Sequence, residues 1–289
     1  MAKEGKGTNA RRQKPPLEVV LPGGIARAVA RISSAARRLQ PGLDLHYEHV
    51  RIPGLPPALD GFLIAQISDL HVGDGDWSPY VLEEAAAALA TAEPDLMVNT
   101  GDYLQGAPPL DRVRQVVETL TAPSSLSPAF SVLGNHDYYA GEAMARELGS
   151  LLEALGVRLI SNEVVTFEGN GASLTLAGLN PYEAGLEPAI VALGSAVRPR
   201  IVLVHEADVV ERLPHGGAEL ALAGHTHGGQ VTVPVLRPLI VRLFNGSRYL
   251  DGMYVINGVP TYINRGLGYT GVPFRFRAAP EVTFFRLVR

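Results

Sequence analysis

Five short apolar runs in this chain each end in a polar cluster, and this coupling constrains the fold more than any other feature. Asp69-Leu70-His71 follows Phe62–Ile67, and Gly101-Asp102 follows Leu96–Val98. Gly134-Asn135-His136-Asp137 follows Ala129–Leu133, His205 follows Ile201–Val204, and Gly224-His225-Thr226-His227 follows Leu220–Ala223. Helical patterns near residues 79–92, 109–121, 141–155 and 185–196 separate the runs. Such alternation predicts an α/β fold. From residue 157 onward strands dominate, including 172–177, 230–235, 254–256, 260–263 and 281–287. Ligands of open α/β sheets bind outside the carboxyl ends of the strands, so the five clusters can meet along one edge.

What would meet there is a set of metal-binding groups. The clusters hold the carboxylates of Asp69, Asp102 and Asp137, the amide of Asn135, and five of the eight histidines. With no cysteine in the chain, thiolate sites and disulfides are excluded. Oxygen and imidazole donors without thiolate suit Mn, Fe, Co, Ni or Zn better than Ca. Each cluster alone has a plain structural explanation: a hydrogen-bonded histidine, a Gly-Asp turn, a helix cap. Five of them at successive strand ends argue for one site. His46, His49 and His215 lack this context and read as surface residues.

The bulk numbers fit a globular protein with a full core: 289 residues, 46% hydrophobic, 19% charged, net charge −4. That charge gives no sign of a nucleic-acid partner. No apolar stretch reaches the roughly 18 residues of a membrane span. Residues 1–51 carry 10 Lys/Arg against 4 Asp/Glu, whereas the rest of the chain is acidic. Residues 1–16 read as a disordered basic tail, and 17–59 as a basic amphipathic leader and linker. Within the leader, Ile25, Val29, Ile32, Ala36 and Leu39 recur at helical spacing, with Arg27, Arg31 and Arg38 mostly off the stripe. That pattern suits peripheral contact with an anionic membrane through residues 25–39. Arg11-Arg12 is followed by no apolar segment or small-residue cleavage site, so a cleavable export signal is not expected and the location reads as cytoplasmic.

In this order the motifs D-x-H, G-D, G-N-H-D, a lone His after a strand and G-H-x-H resemble the calcineurin-like metallophosphoesterases. The resemblance covers roughly residues 60–289. The ending GHTHGGQ and the later Asn264-Arg265-Gly266-Leu267-Gly268 are similar to a bacterial branch containing phosphodiesterases and hydrolases of UDP-diacylglucosamine in lipid A synthesis. The resemblance implies a four-layer sandwich of two mixed sheets flanked by helices. It implies two divalent ions (Mn, Fe or Zn), with Asp69, His71 and His227 on one, Asn135, His205 and His225 on the other, and Asp102 bridging. His136 would be the acid or transition-state stabiliser, its imidazolium oriented by Asp137. The implied reaction is hydrolysis of a phosphate ester, a phosphodiester or a lipid-linked pyrophosphate, by in-line attack of a hydroxide held between the ions. Phosphomonoester hydrolysis is the alternative, and a non-catalytic binding module on the same fold would need lost ligands. A zinc peptidase is disfavoured because no H-E-x-x-H occurs. Arg265 could hold a phosphate, and Tyr103 and Tyr138 could line the cleft. After His205 the chain reads Glu206-Ala207-Asp208, where members of the branch often have Asn-Pro-Asp.

Overall fold

The computed structural model describes residues 41–73, 79–122, 127–231, 247–271 and 274–289. The basic tail and the amphipathic stretch 25–39 lie outside the described residues, as does most of the strand expected at 230–235. Among the described residues, twelve strands form two sheets of six. The first contains β1 (Asp44–Arg51), β2 (Leu63–Ile67), β3 (Leu96–Asn99), β4 (Ala129–Ser131), β5 (Val157–Leu159) and β12 (Glu281–Val288), in the order β1-β12-β2-β3-β4-β5. The second contains β6 (Glu163–Gly169), β7 (Ala172–Leu179), β8 (Arg200–Val204), β9 (Leu220–Ala223), β10 (Gly252–Ile256) and β11 (Val259–Ile263), in the order β10-β11-β9-β8-β7-β6. Both sheets are mixed. β2 through β5 run parallel while β12 is antiparallel to β2, and β7, β8, β9 and β11 run parallel while β6 and β10 are antiparallel edges.

Packing explains the sequence pattern. β2, β3 and β9 are buried along their whole length, which is why they read as continuous apolar runs rather than alternating ones. One core joins the sheets through Ile64, Val98, Leu176, Leu203, Leu222 and Phe285. A second fills the space under α1 (Pro79–Ala92), α2 (Leu110–Thr121) and α4 (Glu142–Ala154). Helix α2 contributes Val113, Val116, Val117 and Leu120, the 3–4 spacing of an apolar helical face. A third core lies under α5 (Leu186–Ser195) and a 3-10 turn at Ala207–Arg212. The result is the expected four layers. The remaining helix, α3 (Asn135–Tyr139), has five residues and carries part of the site.

The domain starts earlier than residue 60. Asp44–Arg51, expected in the leader and linker, pairs in parallel with β12 over its full length. Its Leu45 and Tyr47 point outward, with Tyr47 stacked on the buried Phe284, while Val50 faces the core. The strand period is present, but its apolar members lie mostly on the open face, so hydrophobicity alone does not mark it.

Candidate active site

The parallel strands β2, β3 and β4 deliver Asp69, His71, Asp102 and Asn135 at their carboxyl ends, and β8 and β9 deliver His205, His225 and His227. The exits are laced together by backbone bonds from Asp69 N to Gly101 O (2.9 Å), His71 N to Asp102 O (3.0 Å) and Gly224 N to His205 O (3.0 Å). Asp69, His71, Asp102, His225 and His227 all have φ between +46° and +78°. Left-handed backbone is unfavourable for such residues, and its concentration here marks turns held in place by their surroundings. Gly101, at φ +98°, needs glycine conformationally. Gly134 and Gly224 are needed for space: a Cβ would lie 2.2 Å from Asp102 Oδ1 in one case and 2.1 Å from Ser68 Oγ in the other.

The donor atoms form three overlapping groups, Asp69–His71–His227, Asp102–His205–His225 and, sharing members with both, His71–Asp102–His136. In the first, His227 Nε2 lies 2.9 Å from His71 Nε2 and 3.4 Å from Asp69 Oδ1. In the second, His225 Nδ1 lies 3.3 Å from His205 Nε2 and 3.0 Å from Asn135 Oδ1. Oδ2 of Asp102 stands between the groups, 3.4 Å from His71 Nε2 and 3.1 Å from His205 Nε2. Ligands bound to a common ion at about 2.1 Å are separated by about 3.0–3.4 Å. Ring nitrogens and carboxylate oxygens converging at these distances fit two ions sharing one carboxylate. The outer ring nitrogens are anchored as well, His205 Nδ1 on Thr100 O (2.7 Å) and His71 Nδ1 beside Gln105 Oε1 (3.0 Å).

Burial and mutual charge shift the titration of these groups in opposite directions. Burial alone would raise Asp69 and Asp102, yet neighbouring histidines outweigh it and keep both well below the usual carboxylate range. Burial opposes charge on His205, but the Asp102 carboxylate prevails and raises the ring to about 10. His136 goes the other way. Burial lowers it to about 4 against the pull of Asp102, so it is neutral at pH 7. The His136 ring packs edge-on to His71 at 4.7 Å and can offer a neutral N–H.

Asp137 does not orient His136. Its carboxylate accepts from the backbone N–H groups of Asp102 (3.0 Å), Leu104 (2.9 Å) and Gly134 (2.9 Å). As the third residue of α3 it faces back to the helix start and fastens the second and third clusters together. Burial and the nearby Asp102 push it up to about 7, opposed by those N–H groups.

The substrate contacts expected from the sequence also move. Tyr103 is 2% exposed, with its hydroxyl on Ser131 Oγ, and packs in the core. Tyr138 stacks on Tyr182 at 5.4 Å and donates to Glu183. Arg265 is committed to Glu281 (2.5 Å) and Asp44 (2.7 Å), and its Nη2 lies 2.8 Å from His46, which is half-buried rather than a free surface residue. The neighbouring glycines explain this segment. A Cβ at Gly266 would lie 2.4 Å from that of Asp69, and one at Gly268 2.1 Å from Leu70 O, so the stretch buttresses the first metal-ligand loop.

Three residues were not singled out from the sequence. Arg275, 2% exposed, bonds through Nη2 to His227 Nδ1 at 3.1 Å and to Gly268 O. Tyr139, 40% exposed, has its ring 4.8 Å from His136 and its hydroxyl bonded to Asn135. Burial raises its pKa, and the Asp102 and Glu206 carboxylates raise it further. Tyr182 donates to Glu206 at 2.5 Å and is raised by burial, by Glu206 and, more weakly, by Tyr139 and Asp102. A Tyr-Tyr pair beside the third cluster was the available signal for Tyr139; nothing local marks Arg275.

Comparison with known proteins agrees with this geometry. A family model described as calcineurin-like phosphoesterase matches residues 62–229. The chain is 33% identical over 261 residues to the uncharacterized metallophosphoesterase YkuE of Bacillus subtilis, covering 87% of this chain and 88% of that one. It is 30% identical over 243 residues to YkoQ of the same organism, also described as an uncharacterized metallophosphoesterase, covering 80% and 85%. It is 29% identical over 231 residues to the phosphodiesterase YaeI of Escherichia coli, covering 78% and 82%.

Proposed function

The chain belongs to the calcineurin-like phosphoesterase family and is a metal-dependent phosphoesterase with two divalent ions, and from that premise we propose that its substrate is a phosphodiester. The observation that carries this reading is the commitment of Arg265. A phosphomonoester dianion gains more from cationic contacts beyond the ions than a monoanionic diester does. Arg265 faces Glu281 and Asp44, and Arg275 is buried against His227 and backbone carbonyls. A monoanionic diester needs no such partner. The relative named as a phosphodiesterase supports the same class.

In this proposal Asp69, His71 and His227 would hold one ion, Asn135, His205 and His225 the other, with Asp102 placed to serve both. When bound, the ions polarise the phosphoryl oxygens and lower the pKa of water. Asp69 and Asp102 stay ionised to neutralise part of that charge. His136 donates a ring N–H to the oxygen on which charge develops. Asp137 keeps the Asp102 and Gly134 backbones in register, so its action on catalysis is through position. A lipid-linked pyrophosphate is a special case of the same chemistry. The basic leader, with its 10 Lys/Arg in residues 1–51, supports an encounter at an anionic lipid surface. Manganese is the ion proposed, on the strength of the mixed imidazole and oxygen donors.

Matched aryl phosphates test the proposal. Bis(aryl) phosphate should turn over faster than the corresponding aryl monophosphate with Mn²⁺ present. Faster monoester turnover would overturn it. Co-sedimentation with anionic vesicles, lost when the chain is started near Leu43, is the outcome expected for the leader; equal recovery in the supernatant would reject membrane contact.

A further inference from the structure

A network of tyrosines and carboxylates adjoins the second donor group. Glu206 directly follows the metal-ligand candidate His205 and accepts from Tyr182 at 2.5 Å. Glu183 accepts from Tyr138 and Ser161 at 2.6 and 2.7 Å. The two tyrosine rings are stacked on each other, and Tyr139 stands nearby against His136 with its ring 40% exposed. Elsewhere the surface carboxylates Glu187, Glu211, Glu219 and Glu163 each pair with an arginine. Among the described residues, Glu206 and Glu183 pair with tyrosine hydroxyls instead. These bonds fix the positions of the carboxylates.

We infer that Tyr139, Tyr182 and Glu206 form a subsite for a cationic substituent, an amine or quaternary ammonium on the alcohol of the phosphodiester. Tyrosine rings attract such cations by their faces, and a carboxylate adds direct attraction. The same carboxylate repels a second phosphate or an acidic headgroup, so this subsite favours a simple diester over the lipid-linked pyrophosphate that the proposed function also admits. This inference rests on the phosphodiester reading and names the substituent that reading leaves open.

The experiment compares the choline and 3,3-dimethylbutyl esters of p-nitrophenyl phosphate, which differ by one positive charge at constant shape. The native Mn²⁺ enzyme should favour the choline ester in kcat/KM by about tenfold, the scale of one exposed charge contact with one cation–π contact. Glu206→Gln should bring the ratio close to one. Tetramethylammonium should inhibit hydrolysis of bis(p-nitrophenyl) phosphate competitively in the native protein, a result that does not depend on the variant folding. Glycerophosphocholine and phosphatidylcholine vesicles then distinguish a soluble diester from a lipid headgroup; cleavage of either, with the same dependence on Glu206, supports the subsite. Equal rates for the two esters, or a preference unchanged in Glu206→Gln, would overturn it. Failure to cleave either ester or bis(p-nitrophenyl) phosphate would instead overturn the phosphodiester reading.

Discussion

Nδ2 of Asn135 donates to the hydroxyl of Tyr139 at 2.7 Å, one turn along the same short helix. The bond holds the far side of the amide, leaving Oδ1 3.0 Å from His225 Nδ1 and directed into the second donor group. A group that orients a metal ligand commonly changes metal affinity by about 10–100-fold. Tyr139→Phe should therefore weaken the second Mn²⁺ by about tenfold while leaving the first nearly unchanged. Calorimetric titration of metal-free protein checks this, and equal weakening of both ions would argue against a local role.

Gly268 meets the first metal-ligand loop without room for a side chain. A methyl group there would sit 2.1 Å from Leu70 O, a backbone atom that cannot swing aside. Gly268→Ala should cost a few kcal/mol of stability, as overpacking does, and shift the loop that carries Asp69 and His71. The expected readouts are a lower melting temperature and loss of one metal equivalent. Unchanged stability and full metal content would contradict the buttress.

Asp137 binds three backbone N–H groups and no part of the His136 ring. Asp137→Asn keeps the volume but replaces an accepting oxygen with a donor that faces N–H. A stability loss of about 1–3 kcal/mol is expected, the cost of unsatisfied buried groups. Native-like stability of Asp137→Asn would contradict this anchoring role.

His136 makes the metal-free protein sensitive to acid. Its folded pKa lies near 4, below the 6.5 of the free side chain. A depressed pKa means that the stability associated with the neutral ring is present above about 6.5 and is lost as pH falls toward 4. Between pH 7 and 5 this amounts to about 2 kcal/mol. Urea unfolding of metal-free His136→Phe should show a pH dependence shallower by about that amount. Parallel curves for variant and native protein would count against the burial argument.

The parts of the site readable from the sequence are those where chemistry and strand end coincide. Asp69, Asp102, Asn135, His205 and His225 directly or closely follow buried strands, so strand assignment and sheet topology bring them together. Contacts that depend on side-chain reach were not readable. Arg275 meets a histidine 48 positions away, and Arg265 meets Asp44 across 221. The polarity of Arg265 suggested an anion, and its pairing with Glu281 could be seen only once β12 was in place. Asp137 was misread because adjacent residues on a helix point in different directions, so proximity in the chain did not mean contact with His136. β1 escaped notice because Leu45 and Tyr47 occupy its open face.

The two-ion account of the site is tested most directly by titrating metal-free protein with Mn²⁺ while following both binding and hydrolysis of bis(p-nitrophenyl) phosphate. Two equivalents should bind, turnover should appear as the pair fills, and Asp102→Asn should lose binding and turnover together because its carboxylate stands between the two donor groups. Full turnover in protein shown to be free of metal, or retained turnover in Asp102→Asn with one ion bound, would contradict it.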